Sequence, residues 1–303
     1  MKTTFIPALN KSISQIGLGC VTFGREIDDL SSYAIMDYAF DKGVTLFDTA
    51  AVYSAGLSEK IVGDWFEKNK RKGDGVTLST KILPPFEKGK LALSVEQSLS
   101  RTKQQTIDIL FVHSRHPSIE DAEVLQELNE LVLCGKIRAI GASNFNAKQL
   151  QSIIDIQLRN NFIPVSFVQN NHNIAISDVD DSLLQLCEKF AITIITYSPL
   201  GAGFLTGKYR NAANPGVRFE IIPGHKDIYF NKEAWRRLDI LVGLADAKGK
   251  SSIELALAWA LGFHKATSVL VGCRSIHHLD QALAALSVDA EEIFEALPVV
   301  TAH

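Results

Sequence analysis

Eight short runs rich in apolar and β-branched residues, each followed by at least one helical pattern, predict an α/β fold: a (β/α)8 TIM barrel with an N-terminal β-hairpin. Three observations carry that expectation. Strand-like and helix-like patterns alternate along the chain, and strand after strand ends on polar residues. No Pro/Ser-rich linker divides the 303 residues, so residues 1–303 read as a single barrel domain.

The elements follow in order. TTFIPALNKSIS reads as a hairpin turning at Asn10-Lys11, and QIGLG as the first barrel strand. SSYAIMDYAFDKG is a helix with Ser31 as its N-cap and Gly43 as its stop. VTLFDTA is the second strand, followed by the helix SEKIVGDWFEKNK, started by Ser58. VTLSTK and GKLALSVEQSLSRTK form the third unit; IDILFVH and SIEDAEVLQELNELVLCGK, closing at Gly135, form the fourth. IRAIGASNF with AKQLQSIIDIQLRN is the fifth, and VSFVQNNHN with DVDDSLLQLCEKF the sixth. After the seventh strand, ITIITYSPL, an irregular stretch from Gly201 to about Phe230 reads as an insertion at the barrel mouth or a lid. Two helical patterns, KEAWRRLDILVGLADAKG and SIELALAWALGFH, lead to the eighth unit, TSVLVGCRS and SIHHLDQALAAL.

Composition narrows the function. The formal charge of −3 and pI near 6.2 give no electrostatic reason to expect nucleic acid or an anionic membrane as partner. The basic cluster Lys68, Lys70, Arg71 and Lys72 reads as a solvated helix end. No apolar run approaches the ~20 residues of a membrane helix, and the N-terminus has no signal-peptide pattern. Four widely spaced cysteines fit reduced thiols in the cytoplasm. No metal site is expected, since His113-x-x-His116 and His277-His278 lack supporting ligands.

In a barrel of this kind the C-terminal strand ends converge on one mouth. Collected there are Asp48, Tyr53, Lys81, His113, Ser143, Asn144, Gln169, Tyr197 and Arg274. Taken singly, each has a structural reading: a turn cap for Asp48, a solvated strand end for Lys81, a core-edge aromatic for Tyr53. Together, a carboxylate, phenol, ammonium and imidazole at neighbouring strand ends make a proton-delivery site for carbonyl chemistry.

The segments TLFDTAAVY, STK, DILFVH, GASNF, VQNNHN, ITYSPLGAGFLTGKY and SVLVGCRS, in this order, resemble the aldo-keto reductase family over nearly the whole chain. The resemblance implies an NAD(P)H-dependent barrel without a Rossmann domain; GLGCVTFG indeed lacks the third glycine of that fingerprint. A free tyrosine, with a pKa near ~10, exchanges its proton poorly at neutral pH. A nearby ammonium lowers that value and a carboxylate holds the ammonium. Tyr53 is therefore expected as general acid, Lys81 as its tuner, Asp48 as the anchor of Lys81, and His113 as the group orienting the carbonyl.

The matching family positions imply that Ser143, Asn144 and Gln169 pair with the nicotinamide carboxamide, and Tyr197 stacks on its ring. The competing reading of GASNF is a turn with a helix cap at Asn144 or Asn146. SPLGAGFLTGKY resembles the family's pyrophosphate loop, with Ser198, Leu200, Gly201 and Lys208 as contacts; it is not a Walker A loop, having Ala202 and Tyr209 where Gly and Ser/Thr are required. At the eighth strand Gly272 and Arg274 are followed by Ser275, His278, Gln281 and Ala282. Arg274 suits a 2′-phosphate, which favours NADP (NADPH) over NAD. Gln281 replaces the family's Glu at the adenine, and Ala282 lacks the Asn amide. His113 is followed by Ser114, Arg115 and His116 and not by Trp, a pattern that fits a polar small-molecule carbonyl such as a sugar aldehyde or lactol. A different class, a cofactor-sensing regulatory subunit resembling potassium-channel β subunits, shares the fold; the sequence names no protein partner.

Overall fold

Eight parallel strands pair in chain order and close on themselves, which gives the expected barrel, and an antiparallel hairpin precedes them. The computed structural model describes residues 1–210, 219 and 224–300. The hairpin is β1 (Thr3–Ile6) and β2 (Lys11–Ser14); the barrel strands are β3 (Ile16–Gly19), β4 (Leu46–Asp48), β5 (Thr77–Ile82), β6 (Ile107–Val112), β7 (Ile137–Ser143), β8 (Phe167–Asn171), β9 (Thr193–Tyr197) and β10 (Ser268–Gly272). Closure is made by β10 on β3, with Gly272 opposite Gly19.

Parallel strands covered on both faces need apolar residues on both, and these have them. Outward-facing side chains such as Leu18, Phe47 and Val271 pack under the helices in one cluster, and Leu110, Ile140 and Val168 in another. The lumen is filled by Leu46, Ile109, Phe111, Ala139, Phe167, Ile195 and Leu270. Gly141 belongs to the same lumen face, and a Cβ there would stand 2.3 Å from the Phe111 ring, so glycine makes room for that ring.

Because side chains alternate faces along a strand, the next lumen-facing position after each of these residues falls at the mouth. Leu46 leads to Asp48, Phe111 to His113, Gly141 to Ser143, Phe167 to Gln169, Ile195 to Tyr197 and Leu270 to Gly272. Strand β5 differs: its lumen face is Thr77, Ser79 and Lys81, polar throughout and buried.

The other end is closed by the hairpin. Ile6, Leu9 and Ile13 join the lumen cluster, while Lys11 donates to Asp108 at 2.9 Å and to the Val76 carbonyl at 3.0 Å. Its turn differs from the expected Asn10-Lys11 pair: Pro7–Leu9 form a 3-10 turn, ended by Asn10 in the left-handed region at φ 51.

Two expected helix starts are corrected. Asp28, not Ser31, caps the helix Asp29–Asp41, its carboxylate accepting from the Ser31 amide. Ser58 lies inside the helix Leu57–Lys68, which Gly56 precedes; its hydroxyl is buried against Thr49 and donates to the Cys20 carbonyl. Of the stretch expected as insertion or lid, Gly201–Thr206 form a 3-10 turn and Gly224–Tyr229 a short helix; 211–218 and 220–223 lie outside the described residues. Among the described residues no helix is long and apolar enough to cross a membrane.

Candidate active site

Asp48 and Lys81 meet inside the mouth, both almost completely buried, and form an ion pair through Oδ2. Lys81 Nζ also donates to the Thr49 carbonyl at 2.9 Å and to the Tyr53 hydroxyl at 3.3 Å, so its three protons are all engaged. Asp48 Oδ1 accepts from Ser79 Oγ at 2.7 Å and from Gln169 Nε2 at 2.9 Å. The His113 ring stands edge-on to Tyr53, with centroids 5.9 Å apart. The four residues expected to share proton delivery are thus brought together by β4, its following loop, β5 and the end of β6.

The electrostatics depart from expectation at Tyr53. Burial is the largest influence on its phenol and pushes it above the ordinary value; the Lys81 ammonium opposes this and the Asp48 carboxylate adds to it. The simple picture of a lysine lowering a tyrosine fails because a phenolate in this enclosed position loses more hydration than the ammonium restores. Lys81 is held above its usual value: burial opposes its charge, but Asp48 and Tyr53 outweigh it. His113 is pushed down to about 3, first by burial and then by Lys81, so it is neutral at ordinary pH. Its Nδ1 is buried without a hydrogen-bond partner, which leaves Nε2 as the nitrogen available to a substrate.

The carboxamide candidates form a second, connected group. Ser143 Oγ donates to the Gln169 carbonyl at 3.0 Å. Asn144, in the left-handed region at φ 62, donates through Nδ2 to the His113 carbonyl at 2.9 Å, and its Oδ1 accepts from the Tyr197 hydroxyl at 2.6 Å. Asn146, not Asn144, caps the helix Ala147–Arg159, in a capping box with Gln149. The capping reading of GASNF therefore holds for Asn146 and leaves Ser143 and Asn144 at the mouth. Gln169 faces both groups, since its amide nitrogen is committed to Asp48.

The expected phosphate-binding residues lie along one side. Ser198 is left-handed at φ 58, and Gly201, Ala202 and Gly203 are left-handed in succession. The amide of Gly201 donates to the Ser198 carbonyl and that of Gly203 to the Leu200 carbonyl, so the turn holds its own shape. A Cβ on Gly201 would come within 3.1 Å of the Tyr229 ring. Tyr229 is buried and ties this turn to β8: its hydroxyl donates to Asn171 Oδ1 at 3.3 Å and accepts from Asn173 Nδ2 at 3.4 Å. Asn173 Nδ2 also donates to the Ser198 carbonyl at 3.0 Å.

Past β10, Gly272, Arg274 and Gln281 reach the surface or half reach it. The Arg274 amide donates to His278 Nδ1 at 3.2 Å. His278 is pushed below its usual value by burial first, then by Arg274, His277 and Lys208. Arg274 and Lys208 are exposed and form no ion pair among the described residues. Lys208 Nζ lies over the Tyr209 ring at 4.8 Å, and two exposed cations beside an imidazole are chemistry that fits the phosphates of a nicotinamide dinucleotide. Ala282 is fully buried in the helix Ile276–Ala285, so an Asn amide is absent from that position.

One expectation changes in weight. Arg115 is paired with Glu120 at 2.7 Å within its own loop. Ser79, Asn173 and Tyr229 were not singled out from the sequence. Ser79 had a signal, since it stands two residues before Lys81 and therefore on the same face; Tyr229 had none, because its partners are long-range.

A closed parallel barrel with a buried carboxylate–ammonium pair joined to a half-buried phenol at its mouth is the frame of an oxidoreductase of carbonyl and alcohol groups. The aldo/keto reductase family matches residues 15–295 of this chain. The probable aldo-keto reductase 1 of Glycine max is 30% identical, with 95% of this chain and 86% of that protein covered. Norsolorinic acid reductase B of Dothistroma septosporum is 30% identical over 96% of this chain and 80% of its own length. Versiconal hemiacetal acetate reductase of Aspergillus parasiticus is 26% identical, with 91% and 90% covered. The chain belongs to the aldo/keto reductase family and is an oxidoreductase acting on carbonyl and alcohol groups.

Proposed function

We propose that the protein, working as one catalytic domain, interconverts an aldehyde or ketone with its alcohol using NADP(H), with Tyr53 as the general acid. The observation that carries this reading is the direction of the Lys81–Tyr53 hydrogen bond, in which the ammonium donates to the phenol oxygen. A bound nicotinamide dinucleotide supplies hydride. Tyr53 gives its proton to the carbonyl oxygen as negative charge develops there. Lys81, fixed by Asp48 and the Thr49 carbonyl, stabilises the phenolate that is left. Neutral His113 donates a hydrogen bond that orients and polarises the carbonyl. Ser143, Asn144 and Gln169 seat the carboxamide, Tyr197 supports the ring, and Ser198, Leu200, Gly201 and Lys208 follow the pyrophosphate. Gly272, Arg274, His278 and Gln281 take the adenosine end.

Arg115 spends one of its nitrogens on Glu120, so it offers the substrate no free charge of its own. We propose an uncharged polar carbonyl compound such as a sugar aldehyde or lactol; one relative is named for a hemiacetal acetate. The test is NADPH oxidation by the purified protein against a panel of small aldehydes, ketones and lactols. Absence of turnover across the panel, under NADPH and NADH alike, overturns the reading.

A further inference from the structure

We infer that Ser79 is a positioning residue for the Asp48–Lys81–Tyr53 chain, an assignment that rests on the reading of Tyr53 as general acid. Ser79 is fully buried on the lumen face of β5, and its hydroxyl donates to Asp48 Oδ1 at 2.7 Å. Gln169 Nε2 reaches the same oxygen at 2.9 Å from the opposite side of the barrel, while Lys81 holds Oδ2. A carboxylate with donors on both oxygens cannot turn about its Cβ–Cγ bond without breaking one of them. Its plane, and hence the direction in which it draws the ammonium, is set.

The neighbouring hydroxyls show that this contact is specific. Thr80, on the opposite face, is spent on Glu59 at 2.6 Å. Thr77, two residues earlier on the same lumen face as Ser79, has a buried Oγ1 with no partner. A hydroxyl on this face is therefore not paired by default; the one that is paired meets Asp48.

Removing the Ser79 donor leaves Oδ1 with Gln169 alone and concentrates negative charge on the carboxylate. Asp48 then draws Lys81 more strongly, the long 3.3 Å bond from Lys81 to Tyr53 weakens, and the phenolate loses support. Ser79 acts through Asp48 and Lys81 and touches neither substrate nor cofactor in this account.

The experiment compares Ser79→Ala and Ser79→Thr with the wild-type full chain. In Ser79→Ala, kcat for carbonyl reduction falls about 10- to 100-fold, the range expected for losing a hydrogen bond to a charged group. KM and the Kd for NADPH stay within about two-fold in the same variant, because the seat of neither ligand is touched. The pH midpoint for alcohol oxidation rises, and Ser79→Thr, which keeps the hydroxyl, recovers kcat. A second readout needs no turnover: the tyrosinate absorbance of Tyr53, taken as the difference from Tyr53→Phe in each background, titrates at higher pH in Ser79→Ala. An unchanged Tyr53 midpoint, or a fall in kcat matched only by a fall in Tm, overturns the assignment. A wild-type protein inert toward every carbonyl overturns the reductase reading instead, and the absorbance titration still decides the role of Ser79.

Discussion

Lys81 Nζ stands 3.3 Å from the Tyr53 hydroxyl and is the donor in that bond. The phenolic proton is therefore not consumed by its neighbour and stays available to whatever oxygen enters the mouth. With its other protons on Asp48 and the Thr49 carbonyl, the ammonium has no donor left for a substrate. Lys81 acts on the reaction through Tyr53 and not directly.

Replacing Tyr53 by Phe removes the proton and keeps the ring. Turnover should fall by roughly 10²- to 10⁴-fold, the usual contribution of a positioned general acid. Binding of NADPH, followed by fluorescence titration, should be unchanged. Unaltered turnover would mean that another group delivers the proton.

The raised value of Tyr53 sets the pH behaviour. A phenol held above its ordinary value of 10.0 is fully protonated through neutral pH, so carbonyl reduction should be flat there and decline only above that value. Alcohol oxidation needs the phenolate and should climb with pH over the same range. Rate profiles in both directions check this, and a reductive rate already falling between pH 7 and about 9 contradicts it.

Arg274 should distinguish the two dinucleotides. Arg274→Ala is expected to raise the Kd for NADPH about 10- to 100-fold, as for losing a bidentate charged hydrogen bond, with little effect on NADH. Equal losses for both would remove the 2′-phosphate assignment.

His172 predicts an acid-sensitive fold. It is fully buried, bonded through Nδ1 to Ser177 at 2.7 Å, and stacked on Trp259 at 4.8 Å between ring centroids. Burial pushes it from 6.5 down to about 3, so between those values the unfolded chain binds a proton that the folded chain refuses. Stability is full above the unfolded value and declines as pH falls toward 3, by about 1.4 kcal/mol per pH unit for this residue. Urea melts at pH 7, 6 and 5 should show the decline, and His172→Phe should make it shallower; an identical slope in the variant would refute the assignment.

Asp108 should matter for folding and not for turnover. It accepts from Lys11 and the Leu78 amide, both at 2.9 Å, and is ion-paired with Arg138 at 3.0 Å. Asp108→Ala should cost roughly 2–3 kcal/mol, less than breaking a fully buried pair because Lys11 and Arg138 keep access to solvent. Denaturant unfolding measures the loss, and kcat should stay within about two-fold of wild type.

The barrel was legible because parallel strands covered on both sides carry a period and a length that helices do not share, as in IDILFVH and ITIITYSPL. Helix starts were less so. Asp28, Asp29, Ser31 and Ser32 all have cap chemistry, and packing of the whole helix decides that Asp28 serves. Ser58 lost its expected role to Thr49 and Cys20, partners fixed only by tertiary structure. At the site, the residue types and their strand ends could be read, but the balance at Tyr53 could not: the lysine is visible in the chain, while the burial that outweighs it is not. Gln169 and Asp48 meet across 121 positions of sequence, so their bond had no local trace.

The hairpin plug has a consequence for how such a chain diverges. Ile6, Leu9 and Ile13 are anchored among Phe111, Phe167 and Leu270, and Lys11 is anchored to Asp108, all remote from the strand ends that meet a substrate. Drift in the loops after β5 or β6 can recut the entrance without disturbing that foundation. The entrance and the foundation are thus separate parts of one barrel, and what the protein accepts can change at one end while what holds it together stays at the other.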